Sequence, residues 1–150
     1  MKKISGEERS EVIADRLHSA AIHLLRRVRK EDTKTGEGPA RLSALSVLVF
    51  GGPTTLGQLA AAEQVRPPTM TRIVTGLEQG GLATRVTEAS DARKVRICAT
   101  AAGTALLMRG RKLRVQSLAK QVVKLNSEEM AGLESAVELI QRMLRDWKSE

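Results

Sequence analysis

Two short helical patterns, followed directly by two β-compatible runs, restrict the possible folds of this chain more than any other feature. The first pattern covers residues 55–62 and begins with Thr55 and Gln58 at capping-box spacing. The second covers residues 67–79, begins with two prolines and ends at two glycines, which suit a helix start and a helix end. Because only a few residues separate these short helices, the segment predicts a helix-turn-helix.

The second helix of this pair has two different faces. Met70, Ile73, Val74 and Leu77 have the spacing of a single buried stripe. The side chains expected to point outward are Pro68, Arg72, Thr75 and Gln79, with Thr69 and Thr71 on the flanks. Hydroxyls, a guanidinium and an amide can hydrogen-bond to phosphates and base edges in a DNA groove. Since prolines at the helix start supply no N–H groups, we expect side chains to make the contacts, above all Arg72 and the threonines.

The two β-compatible runs cover residues 82–87 and 94–100, and the polar segment EASDAR joins them. A two-stranded hairpin directly after a helix-turn-helix is typical of a wing. Basic residues at its tip, here Arg93 and Lys94, can reach the narrow and electronegative minor groove. Asp91 is expected to brace Arg93 or a neighbouring arginine. The alternative is that EASDAR is only a polar turn.

Helical patterns flank this unit at about residues 7–30 and 101–148, and the segment TKTGEGPA after the first pattern is predicted to be a loop. Thr100 can cap the helix after the hairpin, and Asn126 and Glu129 have capping-box spacing at the start of the last helix. Both flanking regions contain apolar seams that a small winged helix cannot cover by itself. The seam residues are Ile13, Leu17, Leu133, Val137, Ile140 and Leu144. We expect the terminal helices of two chains to bury these seams against each other. The alternative is a three-helix bundle within one chain.

Composition and charge point to a helical protein with a polyanionic partner. With one Phe, one Trp and no Tyr, aliphatic residues must fill the core, which favours helices over a β-sandwich. The net charge is +8, and residues 92–127 contain no Asp or Glu, as phosphate binding would favour. A basic surface without a partner is the alternative. One cysteine, no signal-peptide pattern and no long apolar run predict a cytoplasmic protein without a membrane partner.

Catalytic, metal and cofactor sites are not expected. The sequence has no nucleophile triad order, P-loop glycine pattern or paired carboxylates in an apolar setting. His18 and His23 are five residues apart on one helix and cannot chelate the same ion. Cys98 could sense oxidants only if Arg96 lowers its pKa, and we expect no such role.

The segments LGQLAAAEQVRPPTMTRIVTGLEQGGLATR and DARKVRICATAAG resemble the MarR family of bacterial transcription regulators. The family's D-x-R…T-x-x-G wing pattern falls on Asp91, Arg93, Thr100 and Gly103. The resemblance implies a homodimeric repressor that binds a near-palindromic operator and is often released by a small anionic or phenolic ligand. With only Phe50 and Trp147 available, composition does not favour stacking of a phenolic ligand, whereas an anion held by Arg or Lys stays open.

Two departures from the family pattern lie at the helix-turn-helix connection. Gln64 stands where Gly is common, which predicts a less tight turn, and Arg66 replaces a Ser cap, which predicts a phosphate contact.

The sequence therefore predicts one mainly α domain over residues 1–150, with about six helices and a two-stranded β-wing. The winged-helix lobe would cover about residues 39–100, and the N- and C-terminal helices would form a dimerisation region. The predicted partners are double-stranded DNA, a second copy of the chain and a possible small effector. The alternatives are a non-specific architectural DNA-binding protein and a module whose winged helix binds another protein.

Overall fold

The computed structural model describes residues 5–88 and 91–147, and it describes no side chain between residues 88 and 93. Within those ranges the chain forms six α-helices, one 3-10 helix and a two-stranded antiparallel sheet. The elements are α1 (Gly6–Val28), the 3-10 helix (Arg29–Thr35), α2 (Pro39–Gly51), α3 (Leu56–Ala62), α4 (Pro67–Gln79), β1 (Ala83–Glu88), β2 (Asp91–Ala99), α5 (Ala101–Val122) and α6 (Ser127–Asp146). The predicted fold class, a mainly α winged helix with six helices, is confirmed.

Local capping chemistry sets several of these helix boundaries. The Thr55 hydroxyl accepts a hydrogen bond from the Gln58 backbone N–H at 3.3 Å, and the Gln58 side chain accepts one from the Thr55 N–H at 3.1 Å. Asn126 and Glu129 form the same reciprocal pair at the start of α6, as predicted. These contacts satisfy N–H groups that have no partner inside the helix.

The 3-10 helix corrects the predicted end of the first helix and the predicted loop at TKTGEGPA. α1 ends at Val28, and the chain continues as a 3-10 helix to Thr35 before Gly36 takes a left-handed conformation with φ of 80°. Asp32 in this segment pairs with Arg114 of α5 at 2.5 Å. A side chain from a distant helix thus stabilises a segment whose own sequence indicated only a loop.

The hydrophobic core lies among α2, α3, α4, the hairpin and the first part of α5. Leu45, Leu59, Met70, Leu77 and Ile97 are fully buried there. The stripe predicted for α4 faces this core, with Met70, Val74 and Leu77 inaccessible to solvent.

The hairpin pairs Ala83 with Ala99 and continues in register to Thr87 opposite Val95. Beyond that pair the register shifts, and Glu88 lies opposite Asp91. β2 therefore begins at Asp91, three residues earlier than predicted, because backbone pairing continues into the segment EASDAR that the sequence predicts as the turn.

Thr100 and Gly103 join the base of the hairpin to α5. The Thr100 hydroxyl donates to the carbonyl oxygen of Gly81 at 2.6 Å and accepts from the N–H of Gly103 at 3.0 Å, so Thr100 caps α5 as predicted. The Thr100 N–H donates to the carbonyl of Leu82. Gly103 packs directly against the Leu82 backbone, where a Cβ atom would overlap the carbonyl oxygen.

Residues up to Arg114 form one compact unit and residues from Val115 onward form another. In the second unit, the α6 helix contains no buried residue within the single chain. None of the helices in the described ranges combines the length and hydropathy that crossing a bilayer would require.

Candidate nucleic-acid interface

The turn between α3 and α4 is tight, contrary to the expectation from Gln64. Gln64 adopts φ of 53°, in the left-handed region that glycine occupies more easily. The Gln64 N–H donates to Ala61 O at 3.1 Å, and the Val65 N–H donates to Ala60 O at 3.0 Å. The turn therefore keeps its geometry at the cost of about 1 kcal/mol of backbone strain.

The start of α4 offers almost no backbone donors. Arg66 is the N-cap residue without a side-chain capping bond, and Pro67 and Pro68 fill the first two helical positions. The next N–H group, from Thr69, already donates to the carbonyl oxygen of Arg66 at 3.0 Å. As predicted from the proline pair, a phosphate here would have to be bound by side chains.

The α4 helix exposes the side chains that the sequence predicted to face outward. The exposed residues are Arg66, Pro68, Thr69, Thr71, Arg72, Thr75 and Gln79. Thr71 donates its hydroxyl hydrogen to Pro67 O at 2.9 Å, so its oxygen can act only as an acceptor toward a ligand. Within the described part of the chain, Arg72 makes no ion pair, so its guanidinium is available.

The single acidic residue of α4 is neutralised by the wing. Glu78 lies near the end of the helix, and its Oε2 atom is 3.5 Å from Nη2 of Arg85 on β1. The pair connects α4 to the wing and leaves the exposed row of α4 without an unpaired carboxylate.

The wing residues divide into those that the structure describes and those that it does not. Lys94 is exposed, as expected for a basic residue near the wing tip. The side chains of Asp91 and Arg93 lie outside the described residues, so the minor-groove contact of Arg93 and its bracing by Asp91 stay predictions. Arg96 donates to the carbonyl of Pro53 at 3.3 Å, and Thr54 pairs with Ile97, so two contacts join the α2–α3 connection to the wing.

An arginine that is not among the predicted DNA contacts also lies beside α4. Arg41 of α2 has its guanidinium directly over the Cα atom of Gly76, and its Nη1 donates to Glu37 at 3.1 Å. The only sequence signal for such a contact is a glycine in the interior of a well-patterned helix.

Two arginines of the segment 92–127, which contains no Asp or Glu, line a cavity of about 490 Å³. Arg111 and Arg114 of α5 border it together with Arg29 and Asp32 of the 3-10 helix. Its apolar walls include Leu25, Val28, Leu42, Phe50 and Leu107. No residue of α4 borders this cavity, so these arginines are separate from the exposed row of that helix, a separation that the sequence did not indicate.

The predicted dimerisation residues are accessible in the single chain. Their exposures are 56% for Ile13, 41% for Leu133, 43% for Val137 and 62% for Leu144, whereas Leu17 and Ile140 are half-buried. So many exposed aliphatic side chains, each at helical spacing, are unusual for a surface that faces only water.

Within the described ranges, no three His, Cys, Asp or Glu side chains lie close enough together to hold a metal ion. Both histidines are exposed on α1, and Cys98 is half-buried on β2.

Comparison with known proteins identifies the family. The MarR family model matches residues 39–95. An HTH-type transcriptional regulator from Mycobacterium tuberculosis is 34% identical over 128 residues, which is 85% of this chain and 90% of that protein. A transcriptional regulator from Thermotoga maritima has the same fold, with a TM-score of 0.81 and 24% identity over 93% of this chain and 99% of that one.

A further structure of this fold contains nucleic acid. It is a variant of MepR from S. aureus bound to an oligodeoxyribonucleotide, with a TM-score of 0.69 and 18% identity over 88% of this chain and 97% of that one. MarR family members are transcriptional regulators and not enzymes, in agreement with the lack of a catalytic pattern in the sequence. The chain belongs to the MarR family of DNA-binding transcriptional regulators.

Proposed function

We propose that this chain is a homodimeric, sequence-specific transcription regulator that represses from a near-palindromic operator. Each protomer inserts α4 into the major groove and the wing into the adjacent minor groove. The observation that carries the proposal is the exposed row of α4, where hydroxyls, an amide and the unpaired Arg72 lie together without a free carboxylate.

Side chains provide the contacts in this arrangement. Arg72 makes the main base or phosphate contact, and Thr69 and Thr75 approach base edges or phosphates around it. Thr71, whose hydroxyl hydrogen is donated to Pro67 O, approaches hydrogen-bond donors on the base edges. Arg66 contacts a phosphate at the start of the helix, which agrees with its exposure and its lack of a capping bond. Lys94 and Arg93 reach the DNA from the wing. The oligodeoxyribonucleotide bound to a MepR variant of the same fold supports DNA as the partner.

Two copies of the chain cover the apolar seams. The seam of α6 runs through Leu133, Val137, Ile140 and Leu144, and α1 contributes Ile13 and Leu17. Burying such residues between chains removes apolar surface from water and thereby stabilises a dimer. A dimer also places two copies of α4 so that each can read one half-site. We expect the protein to act in the cytoplasm.

Selection of bound sequences from random duplex DNA tests the proposal. We expect enrichment of a near-palindrome with half-sites about 10 base pairs apart, since two recognition helices related by a two-fold axis enter successive major grooves. Binding without enrichment would contradict specificity and favour an architectural protein. No binding even at low salt, where counterion release most favours association, would favour a protein-binding module.

We also propose that a small organic anion relieves repression by binding in the cavity beside α5. Arg29 and Arg111 supply positive charge there, whereas Arg114 is already paired with Asp32. The aliphatic walls suit an apolar ligand body, and Phe50 is the only aromatic side chain that borders the cavity in the described part of the chain. These features favour an anionic ligand over a neutral phenolic one.

Benzoate and benzamide form a matched pair of probes for this cavity. Benzoate is expected to raise the unfolding temperature and release the protein from its selected DNA, whereas the uncharged benzamide has nearly the same shape and is expected to do neither. Equal effects of the two compounds would contradict recognition of the anion by arginine.

A further inference from the structure

Gly76 lies in the middle of α4 and leaves a gap that an arginine from another helix fills. A Cβ atom at position 76 would overlap three atoms of the Arg41 guanidinium, at 2.5 Å from Cζ, 2.6 Å from Nε and slightly closer to Nη2. Because these distances are nearly equal, the face of the guanidinium and not its edge rests on the bare Cα atom of Gly76. Any other residue at this position would displace Arg41.

Glu37 sets the orientation of this guanidinium. Nη1 of Arg41 donates to Oε2 of Glu37 at 3.1 Å, and the Glu37 side chain is only 15% exposed. One edge of the guanidinium is thus occupied. The Nε and Nη2 edge makes no hydrogen bond within the described residues, and the Arg41 side chain remains 44% exposed. That edge presents two parallel N–H donors, the arrangement that binds a phosphate bidentately.

The guanidinium also lies beside the exposed row of α4. Position 76 follows Arg72 by four residues, one turn further along the helix. Side chains on a helix lean toward its N-terminus, so a residue at position 76 would cover the surface next to Arg72. Arg41 occupies this place from outside the helix, at the margin of the face proposed to enter the groove.

We infer that Arg41 is a DNA-phosphate contact that α2 supplies at the edge of the major groove, seated on Gly76 and oriented by Glu37. The inference rests on the proposed function, because it requires α4 to enter the groove. A phosphate is the expected ligand because the guanidinium lies on the flank of the helix and not on its outermost line, where base edges are read.

The dependence of DNA affinity on salt tests this contact without knowledge of the operator. For a labelled duplex of random sequence, each lost phosphate contact lowers the slope of log K against log salt by about 0.9. We expect Arg41→Ala to lower the slope by about 1.8 for a dimer, and Arg41→Lys, which keeps a cation, to restore most of it. Arg9→Ala removes the same charge from an exposed position on α1 and is expected to leave the slope unchanged.

A double-mutant cycle that combines Arg41→Ala with Gly76→Ala tests whether Arg41 must rest on Gly76 to contact DNA. Alanine at position 76 should weaken binding as Arg41→Ala does, because it displaces the guanidinium. In a chain that already carries Arg41→Ala, the same alanine should have no further effect on binding. Thermal unfolding of each variant confirms that it is folded, and alanine in the helix interior is expected to raise the unfolding temperature once Arg41 is absent.

The possible failures are distinguishable. If the unsubstituted protein does not bind the duplex at low salt, the proposed function and this inference are both wrong. If it binds, and Arg41→Ala keeps the full salt slope, only the inference is wrong. Additive effects of the two substitutions would likewise show that Arg41 does not act through its seat on Gly76.

Discussion

Replacement of Gly103 by alanine should destabilise the protein, although the same change usually stabilises a helix. Gly103 lies in the first turn of α5, and a Cβ atom there would overlap the carbonyl oxygen of Leu82. The new methyl group would also lie 3.0 Å from the carbonyl carbon of Leu82 and from Cδ1 of Leu45. Leu45 could move, but the Leu82 carbonyl is held by the N–H of Thr100 at the base of the wing.

The size of this destabilisation follows from two opposing contributions to the free energy of unfolding. Overpacking of a well-ordered site costs about 1–3 kcal/mol, and a backbone obstacle favours the upper end of that range. The gain in helix propensity from Gly to Ala is at most about 1 kcal/mol. We therefore expect Gly103→Ala to lower the free energy of unfolding by about 2 kcal/mol.

Gly132→Ala is the matched control, because nothing lies within 4 Å of a Cβ atom at that position in α6. It should raise the free energy of unfolding by up to about 1 kcal/mol. Urea denaturation followed by circular dichroism measures both changes, at one protein concentration because the proposed dimerisation would contribute to stability. If Gly103→Ala were as stable as the unsubstituted protein, close packing against Leu82 could not explain the glycine of the T-x-x-G pattern.

Three further substitutions test the other assignments. Arg72→Ala should cost about 1–3 kcal/mol of binding and relax specificity at one position if Arg72 reads a guanine, whereas equal weakening on all sequences would assign it to a phosphate. Val137→Glu should convert the proposed dimer to a monomer, as measured by light scattering, because it places a charge in the apolar seam; a dimer of unchanged mass would contradict the assignment of this seam to the interface. Cys98→Ser should leave the peroxide response of DNA binding unchanged, and a lost response would show that the thiol is a sensor.

Features that depend on neighbouring residues were predictable from the sequence. The capping boxes at Thr55 and Asn126 involve partners three residues away, so local chemistry determines those helix starts. The apolar stripe of α4 was equally clear, because its spacing matches the helix period. These features were sufficient to predict a winged helix and the exposed row that carries the proposed contacts.

Features that depend on distant partners were not predictable. The 3-10 helix is stabilised by Asp32 and Arg114, which are 82 residues apart. The left-handed conformation of Gln64 is imposed by packing of the two helices that it connects, against the preference of the residue itself. The place of Arg41 depends on Gly76 in another helix. In each of these cases, contacts with other parts of the fold determine the conformation, and local sequence preference does not.

The two prolines at the start of α4 have a consequence for how this regulator can change over time. Their rings restrict the backbone at the entry into the helix, and this restriction does not depend on the exposed residues that follow. Thr69, Arg72 and Thr75 are exposed, and exposed substitutions usually alter stability by less than about 0.5 kcal/mol. A new operator preference could therefore arise by single substitutions on this face while the fold is retained.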